Sequence, residues 1–287
     1  MRTGYFVRGE EPPTELDPRF EVVVVQWRHL WEPDAIPTLT GYQDAGMRVY
    51  VHVPFCYIHP EAAPDAHAAI RAVLDATDGW LLGADGDRVG DESSVKYIDP
   101  RGAATRRGLL DVHLDLLKKA GWEPDGLFLD FLWDSVAWKP EFAAWPVPQR
   151  AALDVEYRKG MNQLASGLVF QTRKAGMDDL TFYGNGWHRC TVLDGIALEA
   201  FPLTKQENGV RDLNVALNGY YGQATWGLFE YEPMILPAGG TNVAYDLPKF
   251  RVVEAVAFAS AFCPHAIVFD NSGFVFDVKG KLAGGDW

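Results

Sequence analysis

Short, nearly continuous apolar runs recur along this chain and alternate with longer segments of helical periodicity. Their positions are residues 21–26, 48–53, 79–83, 126–131, 180–185, 195–200, 228–235 and 266–270. Runs rich in Val, Ile, Leu and Phe are typical of parallel strands whose two faces are both covered. Eight such strands with intervening helices in 287 residues predict an α/β protein, a single (β/α)₈ TIM barrel over residues 1–287.

The helical segments between these runs have their apolar residues on one face. Leu109, Val112, Leu116 and Leu117 form one such face, and a second repeats from Leu153 to Thr172. Further helices fit residues 64–77, 211–221 and 249–262. Only residues 186–194 separate the fifth and sixth strands, which is too short for a full crossover helix. The strand count is therefore least constrained at this connection.

The charge and the cysteines exclude several classes of function. A formal net charge of −13 repels phosphate, so nucleic acid and anionic membranes are not expected as partners. Cys56, Cys190 and Cys263 are far apart, so neither a zinc site nor a disulfide framework is indicated, and no metal or cofactor is expected. The oligomeric state is not readable. We expect an extracellular location with the leader already removed, ahead of a cytoplasmic one.

Two segments of similar sequence each place a carboxylate at the end of a predicted strand. Asp125-Gly-Leu-Phe-Leu-Asp130 and Asp194-Gly-Ile-Ala-Leu-Glu199 both open with Asp-Gly and reach an acid five positions later. Active-site residues of β/α barrels lie at the C-terminal ends of strands, so Asp130 and Glu199 are the predicted catalytic pair. Separated by one strand, the two carboxyl groups would be about 5–9 Å apart, the range used by glycosidases. The alternative is that each acid only caps a loop.

Several other residues at predicted strand ends are candidates for substrate binding. Asn185 ends the fifth strand, after Tyr183, and could bind a sugar hydroxyl, although a glycine-flanked turn is the alternative. His52 ends the second strand, where a structural hydrogen bond is the alternative. Asp134 is a reserve candidate for the catalytic acid, and capping of the following loop is the alternative. Asp270 ends the last predicted strand and is a further candidate for substrate binding.

Tryptophans are concentrated in the loops that follow the predicted strands. Indole rings stack on the C–H faces of pyranoses and donate to hydroxyls, so this rim predicts a platform for a carbohydrate chain. For any single tryptophan, anchoring of a loop to the core is the alternative. The rim consists of Trp27, Trp31, Trp133, Trp138, Trp145 and Trp187.

The order of these motifs resembles a group of barrel glycosidases. The segments are Trp80-Leu-Leu-Gly-Ala-Asp-Gly86, Tyr97-Ile-Asp99-Pro100, Asp125 to Asp130, Tyr183-Gly-Asn185-Gly and Asp194 to Glu199. The group comprises the endo-α-1,4-polygalactosaminidase-like proteins and related glycosyl hydrolases. The resemblance covers residues 45–270 and implies that Asp130 and Glu199 are the catalytic acids. Phe131-Leu-Trp133-Asp134 departs from the group, where Asn and a further acid commonly follow, and this leaves the sugar specificity open.

We therefore expect a single-domain O-glycosyl hydrolase acting on an oligosaccharide or polysaccharide that is α-linked and could contain amino sugars. Two alternatives stay open. One is a carbohydrate-binding barrel without catalytic activity. The other is a metal-dependent hydrolase or lyase that uses His52, Asp130, Glu199 and Asp270.

Overall fold

A computed structural model of the chain describes ten stretches, in which two compact units are found. Unit 1 comprises Met1–Val25, Pro37–Tyr50 and Gly195–Trp287, and unit 2 comprises Gln26–Ile36 and Val51–Asp194. The described stretches are residues 2–7, 11–58, 65–90, 95–130, 135–185, 192–199, 224–228, 234–238, 241–245 and 267–269.

Unit 1 contains a parallel sheet in the order β8, β9, β12, β1, β2. Its core strand β2 is apolar on both faces, and Val22 to Val25 are fully buried. In β1, Gly4 pairs with both Val22 and Phe269. The strands are β1 (Arg2–Phe6), β2 (Val22–Gln26), β8 (Gly195–Glu199), β9 (Ala224–Leu228) and β12 (Ile267–Phe269).

Four further elements with residues in unit 1 lie outside this sheet order, and two of them, α1 and β3, also have residues in unit 2. Helix α1 (Ala35–Asp44) precedes strand β3 (Arg48–Pro54), and the Arg48 N–H donates to the Glu21 carbonyl at 2.9 Å. Strands β10 (Met234–Ala238) and β11 (Thr241–Tyr245) form an antiparallel pair.

Unit 2 contains a pair of parallel strands and three helices among its described residues. Strand β6 (Gly126–Asp130) pairs with β7 (Thr181–Asn185), and the short strands β4 (Tyr57–Ile58) and β5 (Lys96–Tyr97) pair antiparallel. Helix α3 (Ala103–Lys119) packs against α2 (Asp65–Ala76) and α4 (Val147–Lys174). The unit also contains two 3₁₀ turns, Trp27–Trp31 and Pro140–Phe142.

The longest of the described helices, α4, is held against the chain that leads into α3. Its predicted apolar face, which includes Leu153, Tyr157 and Met161, is buried. Gly160 allows this close approach, because a Cβ there would lie 2.4 Å from the Pro100 carbonyl oxygen.

Most predicted elements are confirmed to within a few residues. The runs at 21–26, 48–53, 126–131, 180–185, 195–200 and 266–270 are strands, and the helices over 64–77, 109–117 and 153–172 are present, two of them longer than predicted. The parallel α/β character is therefore confirmed. The predicted helices at 211–221 and 249–262 lie outside the described residues, and closure into one barrel and the single-domain organisation stay predictions.

The predicted parallel strand at 79–83 is wrong. Trp80 and Leu82 instead form antiparallel bridges with Ile98 and Arg88, so the run belongs to a folded excursion between α2 and α3. The same apolar residues are compatible with antiparallel as well as parallel pairing. The run alone therefore does not determine how the strand pairs. The described residues of the predicted strand at 228–235 belong to two different strands, Leu228 to β9 and Met234 and Ile235 to β10.

Candidate active site

Asp130, the last residue of β6, lies at the centre of a buried polar cluster in unit 2. Its Oδ2 atom accepts a hydrogen bond from the Tyr57 hydroxyl at 3.1 Å and lies 2.9 Å from Nε2 of His52. The Asp130 residue is only 6% exposed. Two hydrogen-bond donors therefore converge on one oxygen of a carboxylate that has little access to water.

Local sequence explains how these three side chains meet. Alternation along β6 puts Phe128 and Asp130 on one face of the strand. The His52 ring of β3 lies on that face, because it is stacked on the Phe128 ring with centroids 5.8 Å apart and also reaches Asp130. The Phe55 N–H donates to the Asp130 carbonyl at 3.4 Å, and this ties the chain that leads to Tyr57 to the end of β6.

The electrostatics of the cluster assign donor and acceptor roles. Burial, together with the nearby Asp130 charge, raises the pKa of Tyr57 well above its ordinary value, so Tyr57 stays a neutral donor. Hydrogen bonds to a carboxylate stabilise its charged form. Asp130 Oδ2 therefore has two side-chain partners of the kind that an ionised carboxylate needs.

A second layer of polar groups, formed by Tyr97 and Lys139, lies next to Tyr57. Tyr57 and Tyr97 are directly paired across β4 and β5. The Tyr97 hydroxyl accepts a hydrogen bond from Lys139 Nζ at 3.0 Å, and this ammonium lies 4.3 Å from the Tyr97 ring centroid and 4.7 Å from that of Trp138. Lys139 is 7% exposed, so its side chain is buried in this layer.

The chain that follows β6 is anchored by a carboxylate of α4. The Asp154 side chain accepts hydrogen bonds from the Ser135 hydroxyl at 2.9 Å and from the backbone N–H groups of Val136 and Ala137 at 2.8 Å each. Trp138 follows directly, and its indole N–H donates to the Ser135 carbonyl at 3.2 Å. The ring, whose residue is 60% exposed, is thus presented on a fixed piece of backbone.

In each of the two Asp-Gly segments, the strand begins at the glycine and ends at the acid, as the sequence predicts. Strand β6 runs from Gly126 to Asp130 in unit 2, and β8 runs from Gly195 to Glu199 in unit 1. Before β8, the Asp194 carboxylate accepts the Phe182 N–H at 2.8 Å. Asn185 is the last residue of β7. The side chains of Glu199 and Asn185 lie outside the described part of the structure, so their roles stay predictions.

The remaining predicted binding residues have different surroundings. Trp27 is buried, with its ring 5.2 Å from Trp31 and within 6 Å of His67 and His113, a packing that matches loop anchoring rather than a sugar platform. The Trp31 indole donates to the Leu116 carbonyl at 3.1 Å. Sugar binding by Trp27 and Trp31 thus stays a prediction without support from these contacts.

Tyr183 is buried in β7, opposite Phe128 of β6. Its role in binding is untested. Four other predicted residues lie outside the described stretches, namely Trp133, Asp134, Trp187 and Asp270.

Three members of the cluster were not predicted from sequence, namely Tyr57, Tyr97 and Lys139. Tyr57 is 73 positions from Asp130 along the chain, and no periodicity connects them. Lys139 gave no signal either, because a lysine in a loop is ordinarily solvated. Only the folded backbone brings these side chains together.

The described stretches contain neither a cluster of metal-binding side chains nor a membrane-spanning helix. No group of three or more His, Cys, Asp or Glu side chains there could hold a metal ion. No helix in the same stretches has the length and apolar character needed to cross a membrane.

Comparison with known proteins identifies relatives in structure but not in sequence. No protein-family model matches the chain. A search of curated proteins also finds no match. The glycoside hydrolase domain of PelA from Pseudomonas aeruginosa aligns with a TM-score of 0.60 and 17% identity, over 95% of this chain and 96% of that one.

Two further solved structures have the same kind of fold. Alpha-L-fucosidase isoenzyme 2 from Paenibacillus thiaminolyticus aligns at TM-score 0.62 and 11% identity, covering 99% of this chain and 50% of its own. The alpha-galactosidase TtGalA from Thermus thermophilus, in complex with stachyose, aligns at TM-score 0.51 and 18% identity, over 93% of this chain and 58% of that one. At these identities the likeness concerns the fold, and the chain has the fold of glycoside hydrolase domains.

Proposed function

We propose that this protein is an O-glycosyl hydrolase that cleaves an oligosaccharide or polysaccharide with the carboxylate pair Asp130 and Glu199. In this proposal the parallel strands close into one (β/α)₈ barrel, and both acids lie at its C-terminal rim. No cofactor takes part. The glycoside hydrolase fold of the structural relatives supports the proposal.

The observation that carries the proposal is the environment of Asp130. A carboxylate that is 6% exposed at the end of a parallel strand, with Tyr57 and His52 on one oxygen, has the properties of a catalytic group. Capping of a loop, the alternative role, would need only backbone N–H partners. The donors around Asp130 are instead side chains from two other strands, β4 and β3.

The same environment divides the chemical roles between the two acids. Because its donors stabilise the charged form, Asp130 is assigned the ionised role, as nucleophile or as base for a water molecule. Glu199 is then the proton donor to the leaving oxygen. Whether the anomeric configuration is retained or inverted depends on the separation of the two carboxyl groups.

The substrate class follows from charge and from the relatives. The names of two structural relatives refer to enzymes that act on α-linked sugars, an alpha-L-fucosidase and an alpha-galactosidase, and we extend that preference to this chain. A net charge of −13 favours a neutral or cationic polymer, such as a partly deacetylated amino-sugar chain. The exposed ring of Trp138 would contribute a stacking surface beside the site.

The test is product analysis over a panel of α- and β-linked polysaccharides that includes partly deacetylated galactosamine polymers. Asp130→Asn and Glu199→Gln should each lower turnover by at least about 10³-fold, because each removes a group needed in the transition state. Circular dichroism should show an unchanged fold. Asp87→Asn, which changes an acid in an exposed turn, is the matched control and should keep full activity.

Different results would point to the other two functions. A fully active Glu199→Gln protein would contradict the pair. Binding of glycans without any product would favour a carbohydrate-binding barrel. Loss of activity in EDTA, restored by added metal, would favour a metal-dependent enzyme.

A further inference from the structure

Tyr57 donates a buried hydrogen bond to Asp130. The Tyr57 residue is 9% exposed, and its hydroxyl donates to Asp130 Oδ2 at 3.1 Å. Burial, together with the nearby Asp130 charge, raises the pKa of Tyr57 well above its ordinary value, so the hydroxyl keeps its proton. Tyr57 therefore acts on Asp130 as a neutral donor, whereas the role of His52 Nε2, 2.9 Å from the same oxygen, depends on the protonation of its ring.

The backbone around Tyr57 is held by the excursion between α2 and α3. Tyr57 and Tyr97 are paired across β4 and β5, and the Ile98 N–H donates to the Cys56 carbonyl at 2.9 Å. The excursion holds β5 from its other side, because the Tyr97 carbonyl accepts the Leu81 N–H at 2.9 Å. Backbone with hydrogen-bonded partners opens less readily than a free loop. This ladder therefore fixes the point from which the Tyr57 side chain extends.

A backbone hydrogen bond ties the same segment to the end of β6. The Phe55 N–H donates to the Asp130 carbonyl at 3.4 Å, two residues before the tyrosine whose hydroxyl reaches the Asp130 carboxylate. Phe55 and Cys56 are fully buried. The torsion that turns an aspartate carboxylate has broad minima, so the orientation of the group depends on its partners. Tyr57 is such a partner, and it is carried on a backbone whose distance from Asp130 is fixed.

We propose that Tyr57 is a positioning residue that holds the Asp130 carboxylate in one orientation, with the excursion as the support of Tyr57. The inference rests on the proposed function for its catalytic meaning, because a reacting carboxylate must be aligned with the bond that it attacks. Its electrostatic consequence is independent of that function. A hydroxyl that donates to a carboxyl group stabilises the charged form more than the neutral form. Removal of the hydroxyl should therefore both misalign Asp130 and raise its pKa.

Other titratable side chains near this hydrogen bond are common to the native protein and to a variant that lacks only the hydroxyl. The described groups that interact with Asp130 or Tyr57 include His52 of β3, Cys56 and Tyr97 of β5, and Lys139 contacts Tyr97 in turn. Tyr57→Phe leaves all of these side chains in the sequence. A difference between the two proteins in the titration of Asp130 therefore reports the lost oxygen.

The matched variants are Tyr57→Phe and Tyr42→Phe, each of which removes the oxygen of one buried tyrosine. The Tyr42 hydroxyl donates to the Pro13 carbonyl rather than to a carboxylate. On a substrate that the enzyme cleaves, Tyr57→Phe should lower kcat about 10-fold, change KM by less than about 2-fold and move the acid limb of kcat/KM to higher pH by about 1 unit. Tyr42→Phe should leave the limb in place. An unmoved limb in a folded Tyr57→Phe protein, or an equal shift in both variants, would overturn the proposal.

A second substitution changes the strength of the same hydrogen bond in the opposite direction. 3-Fluorotyrosine at position 57 keeps the ring and the hydroxyl but makes the hydroxyl more acidic, and therefore a stronger donor to the carboxylate. The acid limb should then move to lower pH, a direction that loosened packing around a buried carboxylate does not produce. A limb at the native position or above it would overturn the proposal. This variant also decides the question if Tyr57→Phe does not fold.

A measurement without substrate separates this inference from the proposed function. Carboxyl ¹³C NMR, with the Asp130 signal assigned from Asp130→Asn, follows the titration of Asp130 directly. A pKa of Asp130 that is about 1 unit higher in Tyr57→Phe than in the native protein and Tyr42→Phe supports the role of Tyr57 even if no glycan is cleaved. Equal pKa values of Asp130 in the three proteins would overturn that role even if the enzyme hydrolyses glycans.

Discussion

Two buried titratable side chains in unit 2, those of Asp130 and His113, form specific hydrogen bonds. These hydrogen bonds affect which protonation state each side chain can adopt. Asp130 has two side-chain donors, from Tyr57 and His52. His113 of α3 has one partner, because its Nδ1–H donates to the Leu109 carbonyl at 2.7 Å, while Nε2 is buried with no hydrogen-bond partner within the described part of the chain. Such a nitrogen can be tolerated as a neutral acceptor, but a second N–H there would be buried and unpaired.

His113 should therefore make the protein less stable in acid. Burial lowers the pKa of His113 below its ordinary value of 6.5. As the pH falls below about 6.5, the unfolded chain takes up this proton while the folded one resists it, so the free energy of unfolding decreases by up to about 1.4 kcal/mol per pH unit. Above that pH, His113 is neutral in both states and contributes no pH dependence.

The test compares urea unfolding of the native protein and His113→Asn from pH 5 to pH 8. Asparagine can keep a donor to the Leu109 carbonyl but cannot titrate. The variant should be less stable at pH 8, because it loses ring contacts with Trp27 and Phe55. Its stability should also fall less steeply towards pH 5. Parallel curves for the two proteins would show that His113 is not the titrating group.

At the scale of elements, the segment after β6 owes its position to a helix that is distant in sequence. Asp154 lies in the second turn of α4 and accepts three hydrogen bonds from residues 135–137. The same segment leads to Trp138 and Lys139, which contact each other. The Asp154 carboxylate thus fixes the backbone that carries both the exposed Trp138 ring and the buried Lys139 side chain.

Replacing this carboxylate should loosen the segment without unfolding the protein. Asp154→Ala leaves the Ser135 hydroxyl and two N–H groups without their acceptor, so the free energy of unfolding should fall by about 1–3 kcal/mol. Under the proposed function, KM should rise more than kcat falls, because substrate binding depends on the placement of Trp138. Glu156→Ala, an exposed change two residues further along α4, is the control and should leave both quantities nearly unchanged. An equal effect of the two changes would contradict the anchoring role.

Local sequence patterns predicted the features that depend on a single helix or strand. They did not predict the features that depend on which strands pair. The apolar run that ends at Asp130 and the apolar face of α4 follow from local periodicity, and both are confirmed. The run at 79–83 has the same composition, yet its backbone partners are Ile98 and Arg88, and no local pattern distinguishes antiparallel from parallel pairing. Strand β1 was missed altogether, because Arg2-Thr-Gly-Tyr-Phe6 lacks an apolar run.

At the scale of the whole molecule, the cluster around Asp130 was only partly predictable for a similar reason. Asp130 and His52 were found because both end predicted strands. Tyr57 lies in β4, before α2, and Lys139 lies in the loop after β6, and their contacts exist only in the folded protein. This division has a physical basis, since strand ends are fixed by periodicity while loop contacts depend on long-range packing.

The first strand of the chain should behave as part of the core rather than as a fraying terminus. Strand β1 has neighbours on both edges, since Gly4 pairs with Val22 of β2 and with Phe269 of β12. Thr3 is fully buried, its hydroxyl donates to the Arg19 carbonyl at 2.9 Å, and its own carbonyl accepts the Glu21 N–H at 2.9 Å. Opening β1 would expose the edges of two strands, so its amides should exchange only when much of unit 1 unfolds.

Hydrogen exchange read by mass spectrometry checks this. Peptides that cover residues 2–7 should be protected to about the same degree as those covering 21–26, and far more than the irregular stretch 11–19. Deletion of residues 2–7 should abolish cooperative unfolding or solubility, because an interior strand with two ladders cannot be replaced by water. Rapid exchange at 2–7 beside slow exchange at 21–26 would instead mean that β1 is a loosely attached edge, and a soluble, cooperatively unfolding deletion variant would lead to the same conclusion.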